Sequence, residues 1–118
     1  EEASWANVID VDIKGALHCI AAVLPDMRRR RDGLIINISS WAGRYDSVIG
    51  GAAYTASKRA MMAMTTTVNM EEGRNGIRAC AICPAEVATP FTEDFEQLPP
   101  ASPEALMLHP DDVVGMIL

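Results

Sequence analysis

Two short runs rich in β-branched residues, 34–38 (Leu34-Ile35-Ile36-Asn37-Ile38) and 77–83, limit what this chain can fold into more than any other feature. Each is near-continuous in apolar character and too short for an ordinary helix, so both read as strands buried on two faces. Between them, over 53–72, the positions Tyr54, Met61, Met64, Thr65, Val68 and Glu72 recur at helical intervals, and Gly73 and Gly76 break the pattern. Strand, helix and strand in that order close into a right-handed βαβ unit, whose strands are parallel because a crossover of that length joins them. The fold class is therefore α/β.

The flanks follow the same logic. Over 5–24 the apolar residues Trp5, Val8, Ile9, Ile13, Leu17, Ile20 and Leu24 are spaced by threes and fours, which predicts an amphipathic helix with Ser4 as its N-cap. Pro25 has no N–H for the carbonyl of Ala21, so the helix should kink there, run on a turn or two into the arginines, and end at Gly33. The stretch 41–52, with Gly43, Gly50 and Gly51, reads as a loop. After Pro84 the period is lost. Pro90, Pro99, Pro100 and Pro103 punctuate 85–109, with one short helical possibility at 91–97. Pro110-Asp111-Asp112 has the form of a helix start, with proline at N1 and two acids in the first turn. The 118 residues are taken as one incomplete domain.

Chemistry concentrates at the βαβ unit. Tyr54 and Lys58 stand four apart on the central helix and so share a face. A tyrosine in water titrates near ~10, and a neighbouring ammonium favours the phenolate, which suits the phenol for proton exchange. Ser39 and Ser40 end the first strand, at the carboxyl edge where open α/β sheets bind ligands. The bland alternative is a helix-surface pair beside an ordinary strand end.

Composition excludes several other classes. A net charge of −6 leaves no positive face for nucleic acid or an anionic membrane. The single basic run, 28–31, complements a helix C-terminus. No apolar run reaches the ~20 residues of a membrane span, and with no signal peptide the expected location is cytoplasmic. Three cysteines make no disulfide framework. Cys80 and Cys83 fall on opposite faces of a strand and read as core thiols, while His18 and His109 lack partners at ligand spacing, so no metal site is expected.

Taken together, Asn37-Ile38-Ser39-Ser40, then Tyr54-xxx-Lys58, then Cys83-Pro84-Ala85-Glu86-Val87-Ala88-Thr89-Pro90 resembles the short-chain dehydrogenase/reductase family in order and near-family spacing. The stretch Val8-Ile9-Asp10-Val11-Asp12-Ile13-Lys14-Gly15 is similar to the family's segment before the catalytic strand. The resemblance implies a Rossmann-like, doubly wound parallel sheet, here a partial α-β-α-β-α piece. It implies hydride transfer between a small-molecule alcohol and a carbonyl with NAD or NADP. By the same resemblance Tyr54 is the general acid/base, Lys58 assists it and bonds the nicotinamide ribose, and Ser40 bonds the substrate oxygen, with Ser39 in reserve. Asp12 occupies a supporting catalytic position, and Pro84, Ala85, Val87 and Thr89 form the loop that holds the nicotinamide carboxamide. Family pairing of the two long helices implies a homodimer or homotetramer.

The chain departs from the pattern in four places. Asp12 stands where the family usually has Asn, and an ionised carboxylate accepts but does not donate. Ala85 replaces a common glycine, and the span from Ser40 to Tyr54 is one residue longer than in many members. No glycine-rich dinucleotide loop precedes Trp5, so the chain reads as the catalytic half of a longer enzyme. Two other functions stay open on the residues alone: a non-catalytic helix-pairing module, and a Rossmann-like transferase or epimerase.

Overall fold

The computed structural model describes residues 2–48, 50–89 and 107–118, and the chain divides into two compact units, 1–83 and 84–118. In the first unit a continuous helical rod opens the chain. It comprises α1 (Glu2–Val8), a π-helical segment (Ile9–Gly15) and α2 (Ala16–Arg30). Strand β1 (Gly33–Ile38), a 3-10 turn (Trp41–Gly43), α3 (Gly51–Glu72), a second 3-10 turn (Gly73–Asn75) and β2 (Ile77–Ile82) follow. The strands pair in parallel, Gly33 opposite Ile77 through Ile38 opposite Ile82, with α3 as the crossover.

The helix ends depart from the sequence reading. Ser4 lies inside α1 rather than capping it, and the helix stops at Arg31, not Gly33. Arg31 takes the left-handed conformation (φ 55°), and the N–H of Asp32 then returns to the carbonyl of Met27 at 3.2 Å, so the terminal carbonyls find partners without a glycine. Gly33 instead begins β1, where its bare Cα lies against Met27. Pro25 is accommodated inside α2, which continues for five more residues as expected. Helix α3 starts at Gly51, two residues earlier than its periodicity suggests.

The core is a single cluster of Ile20, Ile35, Val68, Ile77 and Ala79, with Leu24 and Met27 packed on it. Only one face of each strand contributes. Along β1, Gly33, Ile35 and Asn37 are buried while Leu34 and Ile38 are exposed, so the expectation of strands buried on both faces fails for this chain. The helices contacting the strands lie on one side, and no described element of the first unit covers the other. Cys80 shares that outcome: it is exposed on β2, so it is not a core thiol, whereas Cys83 is half-buried beside Met62.

Helix α3 buries Ser57, Met61, Thr65, Val68 and Glu72, a stripe at spacings of four, four, three and four. Two asparagines fix it to the strands. Asn37 Nδ2 donates to Thr65 Oγ1 at 2.8 Å. Asn69 both accepts from the N–H of Ala79 (2.8 Å) and donates to its carbonyl (2.6 Å), completing the outer edge of β2 as a neighbouring strand would. At the far end Arg28 forks onto Glu72, through Nε to Oε2 at 2.9 Å and through Nη2 to Oε1, and Asn75 adds 2.8 Å to Oε2. These donors hold the Glu72 carboxyl well below the usual range, at about 2.

In the second unit, Val87 forms an isolated parallel bridge with Leu108, and α4 (Pro110–Gly115) has proline at N1 as the sequence predicts. Asp112 Oδ2 accepts the His109 N–H at 2.8 Å, closing the first turn. The helical possibility at 91–97 lies outside the described residues. Among the described residues no helix is long and apolar enough to cross a membrane, and none cluster as metal ligands.

Glu72 gives a pH signature. Its folded-state pKa is depressed, so its stabilisation is complete above the ordinary glutamate range and is lost as pH falls through about 2. Glu72→Gln should lower the melting temperature at pH 7 and flatten the loss of stability between pH ~4.5 and ~2, as followed by circular dichroism. An unchanged acid limb in the variant contradicts this account.

Candidate functional site

The alternation of β1 carries one residue past its end. Ser39, two beyond Asn37, faces inward with 6% exposure, and its N–H donates to the carbonyl of Ile82 at 2.7 Å, continuing the ladder. Its Oγ donates to the carbonyl of Lys58 at 3.1 Å. The two serines thereby separate in role. The hydroxyl proton of Ser39 is committed to the backbone of α3, while Ser40 Oγ accepts from the Ala42 N–H at 3.2 Å, capping the 3-10 turn, and keeps its own proton for another acceptor. Ser40 is half-buried.

That 3-10 turn rests directly on α3. A Cβ on Gly43 would stand 2.5 Å from Ser39 Oγ and 3.0 Å from the carbonyl oxygen of Lys58, so only glycine allows the close approach. The loop then runs back along the first turns of α3. Arg59 Nη2 bonds Asp46 Oδ1 at 2.8 Å, and Thr55 Oγ1 donates to the carbonyl of Ser47 at 3.2 Å. Gly50, at φ 80°, brings its backbone against the Tyr54 ring, where a Cβ would come within 2.6 Å of Cδ1. The loop thus begins at Ser40 and returns onto Tyr54.

Tyr54 and Lys58 share a face as their spacing predicts. Lys58 Nζ lies 5.4 Å from the centre of the Tyr54 ring. The ammonium is also held from the other side, by Asp12 Oδ2 at 3.3 Å, with the two side chains only 12% and 22% exposed. Asp12 reaches it from the π-helical segment of the N-terminal rod. Ser57, completely buried, places its Oγ 2.9 Å from the same Asp12 oxygen and 2.8 Å from the carbonyl of Tyr54, its single proton serving one at a time. Tyr54, Lys58 and Asp12 are therefore in one constellation, and Ser40 is tied to it through its turn.

The remaining candidates, Pro84, Ala85, Val87 and Thr89, belong to the second unit. Ala85 does not have a positive φ, so its side chain is accommodated where the family commonly has glycine. Leu108 bonds the carbonyl of Glu86 (3.0 Å) and the N–H of Ala88 (2.9 Å), so the backbone groups of Val87 point to the opposite edge. Thr89 Oγ1 lies 3.5 Å from the Val87 carbonyl.

Sequence reasoning missed Ser57 and the seat at Gly43. Ser57 sits in the Tyr54-to-Lys58 interval at a helical offset of three from Tyr54, on the stripe with Met61, Thr65 and Val68, and that position could have identified it as buried. Gly43 had no local signal beyond being a loop glycine.

Residues 1–99 match the family model for short chain dehydrogenase. The chain is 40% identical over 100 residues to "Oxidoreductase UcpA" of Salmonella typhimurium, a match covering 84% of this chain and 38% of that protein. Among solved structures it is similar to a 3-oxoacyl-[acyl-carrier protein] reductase with bound NAD from Brucella melitensis, with TM-score 0.84 and 33% identity over 99% of this chain and 44% of the other. It is also similar to a gluconate 5-dehydrogenase from Burkholderia cenocepacia in complex with NADP and tartrate, with TM-score 0.72 and 29% identity over 75% of this chain and 34% of the other. The architecture is accordingly a partial Rossmann-type α/β piece, and the chain spans less than half the length of these relatives.

The seat of the turn can be tested by filling it. Gly43→Ala should destabilise by roughly 1–3 kcal/mol through overpacking against Ser39 and the Lys58 carbonyl, and Ser39→Ala by about 1 kcal/mol through the lost hydrogen bond. Thermal unfolding of the two variants gives the order; a neutral Gly43→Ala refutes the close approach.

Proposed function

The chain belongs to the short-chain dehydrogenase family, and on that premise we propose that it carries the proton-transfer machinery of an oxidoreductase interconverting a secondary alcohol and a carbonyl with NAD or NADP. The observation that carries this reading is the setting of Tyr54: a phenol with the half-buried Lys58 ammonium 5.4 Å from its ring, on a helix to which the turn bearing Ser40 is bound.

In the reducing direction Tyr54 gives its phenolic proton to the carbonyl oxygen as negative charge develops there, and in the oxidising direction the phenolate takes the proton back. Ser40 donates a hydrogen bond to the same oxygen, using the proton that its capping bond leaves uncommitted. The Lys58 ammonium stands 5.4 Å from the centre of the Tyr54 ring, and its position against Asp12 keeps it from swinging into solvent. The nicotinamide cofactor, when bound, supplies or accepts the hydride. Within the first unit, Lys58 retains ammonium protons that suit the ribose hydroxyls of such a group. In the second unit, taken by itself, the outward backbone groups of Val87 with the Thr89 hydroxyl suit a carboxamide, which both donates and accepts. Neighbours described with NAD and with NADP support the cofactor class.

The long helices support a homo-oligomer. Trp5, Val11, Leu17 and Val23 on the N-terminal rod and Met70 on α3 are exposed, an apolar surface that a second copy of the chain would cover.

In the full protein, Tyr54→Phe should reduce turnover by roughly 10²–10⁴-fold, while NADH or NADPH binding, followed by nicotinamide fluorescence, changes little. Retained turnover removes Tyr54 from the role of acid and base.

A further inference from the structure

The loop between Ser40 and α3 displays two aromatic rings that the proton transfer does not use. Trp41 and Tyr45 stack with centroids 4.2 Å apart and an interplanar angle of 28°. The pair is not an interior packing element, because Trp41 remains 51% and Tyr45 48% exposed, and Val48 nearby is 91% exposed. Single exposed aromatics are ordinary on a protein surface. A stacked pair on a fixed support, immediately after the proposed oxygen-binding serine in the chain, presents flat apolar area at the surface.

The support is what makes the pair useful for recognition. Ser40 caps the turn carrying Trp41, Gly43 is seated on the Lys58 carbonyl, and Asp46 and Ser47 are bonded to Arg59 and Thr55. At the far end the Gly50 backbone rests on the Tyr54 ring. The backbone under both rings is thus ordered before any ligand arrives, and a flat group stacking there loses little entropy to the protein. Asp46 and Arg59 are joined by a 2.8 Å ion pair, which anchors the loop beyond Tyr45 to α3.

We propose that Trp41 and Tyr45 determine specificity, taking the aryl portion of the substrate, so that the enzyme acts on aryl ketones and aryl carbinols in preference to short aliphatic ones. This rests on the reading that Ser40 and Tyr54 bind and protonate the substrate oxygen.

The test uses the full protein with NADH and NADPH both supplied. It compares kcat/KM for acetophenone and 2-butanone in the wild type, Trp41→Ala and Trp41→Phe, alongside saturation-transfer NMR of acetophenone binding to Tyr54→Phe with and without Trp41→Ala. The wild type should favour acetophenone. Trp41→Ala should lower its kcat/KM roughly tenfold, mostly through KM, with 2-butanone changed less than about twofold and Trp41→Phe retaining most of the preference. Equal losses on both substrates, or no aryl preference in the wild type, overturn the platform. The NMR arm separates the two readings. Acetophenone binding to Tyr54→Phe that depends on Trp41, together with a wild type that turns over neither ketone, leaves the platform standing and the reaction refuted; wild-type turnover without Trp41-dependent binding in Tyr54→Phe does the reverse.

Discussion

The rotation of α3 about its own axis is the setting on which the rest of the first unit depends. Apolar burial alone would hold the helix against the strands but would tolerate some rolling, because the hydrophobic effect is not directional. The asparagines supply direction. Asn69 matches both backbone groups of Ala79, and Asn37 reaches Thr65 from the adjacent strand, so a roll of the helix would break these bonds and strand the buried Asn37 amide at a cost of about 1–3 kcal/mol. With that stripe fixed, Tyr54 and Lys58 have only one direction to face.

Around Lys58 the chain solves an electrostatic problem. An ammonium that is largely withdrawn from water needs a counter-charge and hydrogen-bond acceptors. Asp12 provides the charge from a different helix, and Ser57 gives that carboxylate a neutral donor of its own. This chain therefore ties the N-terminal rod to α3 through the ion pair of Asp12 and Lys58. The same contact that stabilises the packing sets where the ammonium can point.

Much of this was legible in the residues, and the exceptions have physical causes. The strands, the crossover helix, the shared face of Tyr54 and Lys58 and the start of α4 follow from periodicity and cap chemistry, which are local. The helix end at Arg31 was not legible, because a left-handed arginine has no sequence signature and Gly33 offered a plausible alternative. The exposed outer faces of Leu34, Ile38 and Cys80 were misjudged, since a run of β-branched residues reports the capacity for burial and not whether a layer is there to bury it. Ser57 and Gly43 act through contacts 45 and 19 or fewer residues away in sequence, and such contacts leave little trace in a linear pattern.

The π-helical segment has a consequence for how this chain tolerates changes in length. A turn from Ile9 to Gly15 carries more residues than an α-turn, so the faces of α1 and α2 are out of phase with a uniform 3.6-residue period. Removing a single residue there would let the remaining six relax to α-helix while spanning about the same total rotation, so α1 would keep its azimuth relative to α2 and the change would fall locally, on the segment that carries the Asp12 carboxylate to Lys58. A one-residue deletion within α1 or α2 would instead rotate everything before it by about 100°, so the wide segment acts as slack in the rod, where a lost residue leaves the outer surface in register.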